Sequence, residues 1–185
     1  MMKLVECIPN FSVSRERDEP AFNALVDTAK AVPGCTVLDV QSDGTHNRCV
    51  FTLVGSPEGI GEAAFRLAKR AMEVIDMTKH QGAHPRMGAT DVIPFVPTMD
   101  VTVEECVELL GGTGIYIDTA FSSGSVPPPW AKESIAAFGA DHVLFGSDNP
   151  WSATGRELAF VRSLGLSEEE TELILGKNAE RLLGL

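Results

Sequence analysis

Apolar positions in the first hundred residues recur with two different periods, and the switches between them lay out a series of elements. Residues 3–8 read as a short strand. Phe22, Leu25, Val26 and Ala29 follow at helical spacing, and Pro33-Gly34 closes that helix before the β-prone run 35–40. Asp43-Gly44 is a turn signal, and residues 48–54 beyond it are rich in β-branched and aromatic side chains, so the two runs predict a hairpin. Ile60, Ala63, Ala64, Leu67, Ala68, Ala71, Met72 and Ile75 make one stripe along a second helix, and residues 91–96 return as a strand. The order β-α-β-β-α-β predicts a ferredoxin-like split βαβ sandwich, a four-stranded sheet with two helices on one face.

That order has a geometric consequence. If neighbouring strands are antiparallel, the connections 9–18, 41–47 and 76–90 all lie at one end of the sheet. The third of them, fifteen residues long, exceeds the ~2 to 6 residues usual for such a connection, and long loops in compact domains tend to carry function.

Beyond Leu110 the texture changes. A helix built on Val103, Cys106, Val107 and Leu110 is broken by Gly111-Gly112-Thr113-Gly114, and residues 115–117 read as a strand. A Ser/Gly/Pro-rich loop, a helix over 130–138 and a strand over 142–145 follow. Ser167 and Glu170 form a capping box that opens a last helical stretch. This β-α-β-α-α order is that of a parallel α/β piece. The whole chain is thus expected to be α/β, with the split sandwich over residues 1–110 and a βαβα appendage over 111–185.

Composition narrows the function classes. The chain has 185 residues, with 15 Lys and Arg against 26 Asp and Glu, a formal net charge of −11. A surface that acidic repels phosphate backbones, so nucleic acid is not an expected partner. No apolar run approaches the ~18 residues of a membrane span, and Lys3 and Glu6 interrupt the N-terminal apolar stretch that a secretory signal needs. A cytoplasmic protein with a small-molecule substrate is expected, with a homodimer as the assembly left open. Cys7, Cys35, Cys49 and Cys106 show no CxxC spacing and lie in or beside apolar segments, which reads as buried free thiols.

In an otherwise acidic chain, the long third loop concentrates Lys79, His80, His84 and Arg86. An imidazole there can take or give a proton at neutral pH, and Pro85 stiffens the chain beside His84. Lys79 and Arg86 offer fixed positive charge to a carboxylate, Arg86 with a fork suited to bidentate contact. His46 and Arg48 from the hairpin end, and Asn10, Ser12 and Arg15 from the first loop, complete a polar rim. The alternative for His84 is a loop histidine bonded to backbone, and the residues alone leave both open. His80 and His84 have the spacing of two zinc ligands on a helix, but Gly82 and Pro85 disfavour a helix there, and no metal is expected. No Ser sits in a Gly-x-Ser-x-Gly elbow, and Gly59 and Gly61 read as easing the start of the second helix. Asp148 follows an apolar strand, where parallel barrels put catalytic groups, although such a carboxylate is more often a turn or cap residue.

Two family resemblances attach to these residues. From residue 3 to about 110 the chain resembles the N-terminal subdomain of glutamate formimidoyltransferase. The likeness is carried by Leu4-Val5-Glu6-Cys7-Ile8-Pro9-Asn10-Phe11-Ser12, by Asn47-Arg48, by Phe51-Thr52-Leu53-Val54-Gly55, and by the run 75–92 around His84-Pro85-Arg86. It implies transfer of a formimino group from N-formimidoyl-glutamate to N5 of tetrahydrofolate, in histidine breakdown. Tetrahydrofolate is then a co-substrate and His84 the acid/base. The rim residues Asn10, Arg48, Lys79, His80 and Arg86 are the expected substrate-binding set. The resemblance implies an acidic residue where Gln41 stands, and the rest of the family's first subdomain, with its folate-contacting segment, and its second subdomain have no counterpart here.

From about 114 to 185 the chain instead resembles the carboxyl end of a metal-dependent amidohydrolase barrel. The matching residues are Ile115-Tyr116-Ile117-Asp118-Thr119, the run 138–148 ending at Asp148, and Asn178-Ala179-Glu180-Arg181-Leu182-Leu183. That implies a metal-side acid/base role for Asp148, while the His-x-His pair and the later histidines of such enzymes are missing. A fusion of two fragments accounts for the seam near Leu110-Gly111. Two rivals to the transferase are an amidohydrolase fragment using Asp148 with a divalent metal, and a fold chimera without catalysis.

Overall fold

The computed structural model of the protein describes residues 3–83, 88–109 and 115–185, and the chain divides into two compact units, Met1–Leu109 and Leu110–Leu185. The expected catalytic His84 and the substrate-binding Arg86 lie outside the described residues. Among those residues, no helix is long and apolar enough to cross a membrane.

The first unit is mixed α/β with a curled, antiparallel sheet. Its elements are β1 (Leu4–Cys7), β2 (Asn10–Phe11), α1 (Glu19–Lys30), β3 (Cys35–Asp43), β4 (Arg48–Gly55), α2 (Pro57–Val74), β5 (Thr90–Val92), β6 (Phe95–Met99) and α3 (Val103–Glu108). β4 pairs with β3 on one side and with β1 and β2 on the other; β1 pairs with β6 and β2 with β5. The expected strand 3–8 is β1, followed past Pro9 by the short β2, and the expected strand 91–96 is broken into β5 and β6. Pro9 and Pro94 sit at the breaks, where a residue without an N–H cannot donate to a ladder. Both prolines still accept, from Phe51 at 3.0 Å and Ile8 at 3.1 Å, so the sheet bends there without coming apart.

Alternation along β4 places Cys49, Phe51, Leu53 and Gly55 in the core. Against that face lie the apolar stripes of both helices, Phe22, Leu25 and Ala29 from α1 and Ile60, Ala63 and Leu67 from α2. Each helix starts at a side-chain cap: Asp18 accepts from the Ala21 N–H, and Ser56 from that of Gly59. Where β3 begins, the backbone turns through Gly34 at φ +80° and passes close to α2. A methyl on Gly59 would lie 2.5 Å from the Gly34 carbonyl carbon, whereas one on Gly61 meets nothing nearer than 3.8 Å. Gly59 is therefore required by the close passage of two backbones, a different reason from the conformational ease read in the sequence. Gly59→Ala is expected to lower stability by about 2 kcal/mol, and Gly61→Ala to leave it within about 0.5 kcal/mol, in urea denaturation followed by circular dichroism.

In the second unit, β7 (Ile117–Asp118) and β8 (Val143–Leu144) pair in parallel, joined through α4 (Pro128–Phe138). After them come α5 (Thr154–Ser163), α6 (Glu168–Glu172), a π-helical turn Leu173–Lys177 and α7 (Asn178–Leu183). The predicted Ser167–Glu170 capping box opens α6. Ile135, Val143, Val161, Leu164 and Ile174 form this unit's own core. Asn178, fully buried, donates both amide hydrogens to the carbonyls of Ala140 and Val143 at 2.7 and 2.8 Å, which ties the last helix to the strand.

Candidate functional site

Three connections of the first unit meet at one end of the sheet, and hydrogen bonds fasten each to the other two. Ser12 joins the first to the third: its N–H donates to Ala89 at 2.9 Å and its hydroxyl to the Gly88 carbonyl at 2.7 Å. Between the first and the hairpin turn, Arg15 N–H donates to Ser42 Oγ at 2.9 Å, the Ser42 hydroxyl donates to Glu16 at 2.6 Å, and Arg17 Nε donates to the Gly44 carbonyl at 2.7 Å. The hairpin turn meets the third connection through the Ala83 N–H and the Thr45 carbonyl, 3.1 Å apart.

Asn47 is the node of this arrangement. Its backbone is left-handed, φ +51°, a conformation Asn tolerates better than most residues. In that pose its Oδ1 accepts from the Ser14 N–H at 3.0 Å, its Nδ2 donates to the Gln81 carbonyl at 3.0 Å, and its own carbonyl accepts from His80 Nε2 at 3.1 Å. One buried side chain thus binds all three connections. The sequence carried a hint of it, an Asn at the close of a hairpin, which the rim argument left unused.

The predicted rim residues fall into two groups. Asn10 and Arg48 stand together on β2 and β4: Arg48 Nε and Nη2 both donate to Asn10 Oδ1, at 3.0 and 2.8 Å, and Nη1 pairs with Asp91 of β5 at 2.6 Å. Asn10 is anchored in turn by donating to the Ile8 carbonyl. Three strands are thereby laced across one face, with the guanidinium nearly charge-balanced. Lys79 and His80 lie on the third connection. Lys79 is exposed and pairs with Asp76 at 2.9 Å. The Thr78 hydroxyl and then Lys79 hold the Asp76 carboxyl down at about 2, so this anion persists at all ordinary pH. Arg48 and Lys79 each face a carboxylate, Asp91 far along the chain and Asp76 three residues away, so this part of the rim is less positive than its cations alone suggest.

His46 was part of the predicted rim without an assigned role. Its Nδ1 lies 2.6 Å from Asp43 Oδ2, while Asp43 Oδ1 accepts the backbone N–H groups of Thr45 and His46. The His46 contact and these N–H donors hold the Asp43 carboxyl below its ordinary value. All four cysteines are free, and burial pushes the Cys7 and Cys49 thiols up to about 12, which leaves them unreactive.

Asp148, the residue of the metal reading, is exposed with φ +57°, and its carbonyl accepts from Trp151 and Ser152 in a turn. Among the described residues, no group of three or more His, Cys, Asp or Glu could hold a metal ion. Asp148 thus stands without the further ligands a divalent cation needs among the described residues.

Comparison with known proteins gives the two halves different kin. Residues 4–124 match the model of the formiminotransferase domain, N-terminal subdomain, and residues 103–185 match that of an amidohydrolase family. A glutamate formimidoyltransferase of Streptococcus pyogenes is 61% identical over 109 residues, 59% of this chain and 36% of that one. A formimidoyltransferase-cyclodeaminase of Gallus gallus is 50% identical over 107 residues, 58% of this chain and 19% of that one. The chain therefore matches about a third of one relative's length and about a fifth of the other's. A solved structure of a 2,6-dihydroxybenzoate decarboxylase from Rhizobium overlaps 70% of this chain and 42% of its own at 15% identity, with a TM-score of 0.38.

Proposed function

The chain belongs, through residues 4–124, to the formiminotransferase family in its N-terminal subdomain, and from that membership we propose that it takes part in moving a formimino group from N-formimidoyl-glutamate to N5 of tetrahydrofolate. The observation that carries this reading is the meeting of three connections at one sheet end, where Asn47 fastens the stretch that runs on toward residue 84. The frame we infer is the ferredoxin-like split sandwich. What supports it is the spatial succession β3, β4, β1 with β2, and β6 with β5, antiparallel throughout, with both helices against one core. The two-unit division supports reading 1–110 and 111–185 as separate fragments.

In the proposed reaction the N5 lone pair forms a bond to the formimino carbon and the bond from that carbon to the glutamate nitrogen breaks. N5 loses a proton and the departing amine gains one. His84 is assigned that relay, a task suited to an imidazole at neutral pH. Lys79, Arg86 and the Asn10–Arg48 pair are assigned the glutamate carboxylates.

Incubating the protein with tetrahydrofolate and N-formimidoyl-glutamate is expected to release glutamate faster than a His84→Ala control. Tetrahydrofolate alone is expected to raise the melting temperature. Turnover no greater than in the control, with no thermal shift, would overturn the reading.

A further inference from the structure

At this end of the sheet the hairpin turn carries an imidazole oriented by a carboxylate. His46 lines a cleft of about 570 Å³ together with Glu16, Gln41, Asp43, Arg48 and Val50. Asp43 is fixed at both oxygens, one by the His46 ring and the other by two backbone N–H groups. It therefore accepts from Nδ1–H and leaves the lone pair of the neutral ring on Nε2. That atom has no hydrogen-bond partner among the described residues, and the side chain is half exposed. The other described histidines are differently employed. His80 donates Nε2–H to the Asn47 carbonyl, and His142, in the other unit, also turns Nδ1 to a carboxylate, 3.1 Å from Asp141 Oδ1, but packs its ring on Tyr116, with centroids 4.9 Å apart. A base turned and held by a carboxylate, with its other nitrogen open to a cleft, is the arrangement a proton-transfer group needs.

We propose that His46 is a second acid–base group of this site, with Asp43 as its positioning residue, and that it serves a substrate whose nitrogen must shed a proton as it bonds to carbon. The proposal rests on the formimidoyl-transfer reading. As the attacking nitrogen's lone pair forms the new C–N bond, its N–H proton passes to His46 Nε2, and the ring becomes an imidazolium stabilised by Asp43. The old C–N bond breaks with its electron pair going to the departing nitrogen, which takes its proton from His84, so that the relay given above to His84 alone is divided between the two imidazoles. Solvent then restores both rings, and no oxidant or reductant is involved. Besides Asp43, the charged groups sharing the cleft are Glu16 from the first connection, held by the Ser42 hydroxyl, and Arg48 from β4, held by Asn10 and Asp91.

The first arm of the test compares kcat for the full chain, His46→Gln and Asp43→Asn across pH. His46→Gln is expected to fall about 100-fold and to lose the acidic limb of the profile, with Asp43→Asn keeping the limb but at a shifted position. Equal turnover and an unchanged profile in His46→Gln would overturn the proposal and leave the transfer reading standing. A second arm needs no turnover, and so separates the two if the parent chain is inactive. Diethyl pyrocarbonate acylates an imidazole through its free lone pair, and its rate at His46, read by peptide mass spectrometry, is expected to drop several-fold in Asp43→Asn. An unchanged rate would overturn the proposal whatever the activity.

Discussion

Asn47→Ala is expected to be the most damaging of the substitutions considered in the first unit, lowering its stability by about 3 kcal/mol or more, since each buried donor or acceptor left unpaired costs about 1–3 kcal/mol. Two groups lose their partner, the buried Ser14 N–H and the carbonyl of the more exposed Gln81. Ala must also hold a left-handed backbone, φ +51°, that Asn accepts more readily. A short series separates these causes. Asn47→Gly removes the backbone strain but leaves both groups unpaired, so it should recover only about 1 kcal/mol. Asn47→Asp keeps the acceptor for Ser14 and loses the donor to Gln81, and should fall between. Both tryptophans, Trp130 and Trp151, belong to the second unit, so their fluorescence follows that unit, while far-ultraviolet circular dichroism follows the helices of both. The Asn47 effect is expected in the circular dichroism transition. A midpoint for Asn47→Ala within about 0.5 kcal/mol of the parent would show that the three connections do not depend on this residue. Formimidoyl transfer should fail in Asn47→Ala even where the chain remains folded, because the stretch through His80 and Gln81 would be released.

Much of this end was legible beforehand, for identifiable reasons. Helical and alternating periods record which face is buried, so β4, α1 and α2 follow from their own residues, and the meeting of three connections follows from antiparallel pairing. Edge strands leave a weaker record. β3 continues through Gln41 and Ser42 to Asp43, and its register shifts between Val37 and Asp39, leaving Leu38 exposed. A polar, bulged edge carries no steady alternation to read. The rim cations were read as free charges although Asp76 stands three residues before Lys79, and Asp43 three before His46, within pairing distance in a turn. Asp91, the partner of Arg48, is far along the chain and could be found only through the sheet register. Gly59 was assigned the wrong cause because a close approach of two backbones leaves no periodic trace. Nothing in residues 154–163 marks Glu157 as buried, since a glutamate on an amphipathic helix ordinarily faces water.

Glu157 governs the second large effect, an acid-sensitive second unit. Its side chain is 1% exposed, yet both carboxylate oxygens are satisfied: Oε2 accepts the Ser123 N–H at 2.9 Å, and Oε1 accepts the hydroxyls of Ser123 and Ser152, each at 2.5 Å. Burial pushes the carboxyl's pKa up, but these donors outweigh it and hold the group below the ordinary glutamate value. The unfolded chain therefore binds a proton at a higher pH than the folded one. The stabilisation is full above the unfolded value of about 4.3 and is lost as pH falls through the lower folded value. At neutral pH, Glu157→Ala is expected to cost about 3 kcal/mol, as three charge-assisted hydrogen bonds vanish and leave two hydroxyls and an N–H without their acceptor. Glu157→Gln keeps the shape and can still accept at one atom and donate at the other, so it should cost less and, above all, should not titrate. Asp141 and Glu170 in the same unit are also held low, by His142 and by the Ser167 donors, and contribute their own acid lability to parent and variant alike. The decisive quantity is thus the stability of the parent minus that of Glu157→Gln, read by tryptophan fluorescence in urea. It should be positive and level at neutral pH and shrink as the medium becomes acidic. A difference that stayed level throughout would mean that the buried carboxyl is not held as an anion by its serine donors.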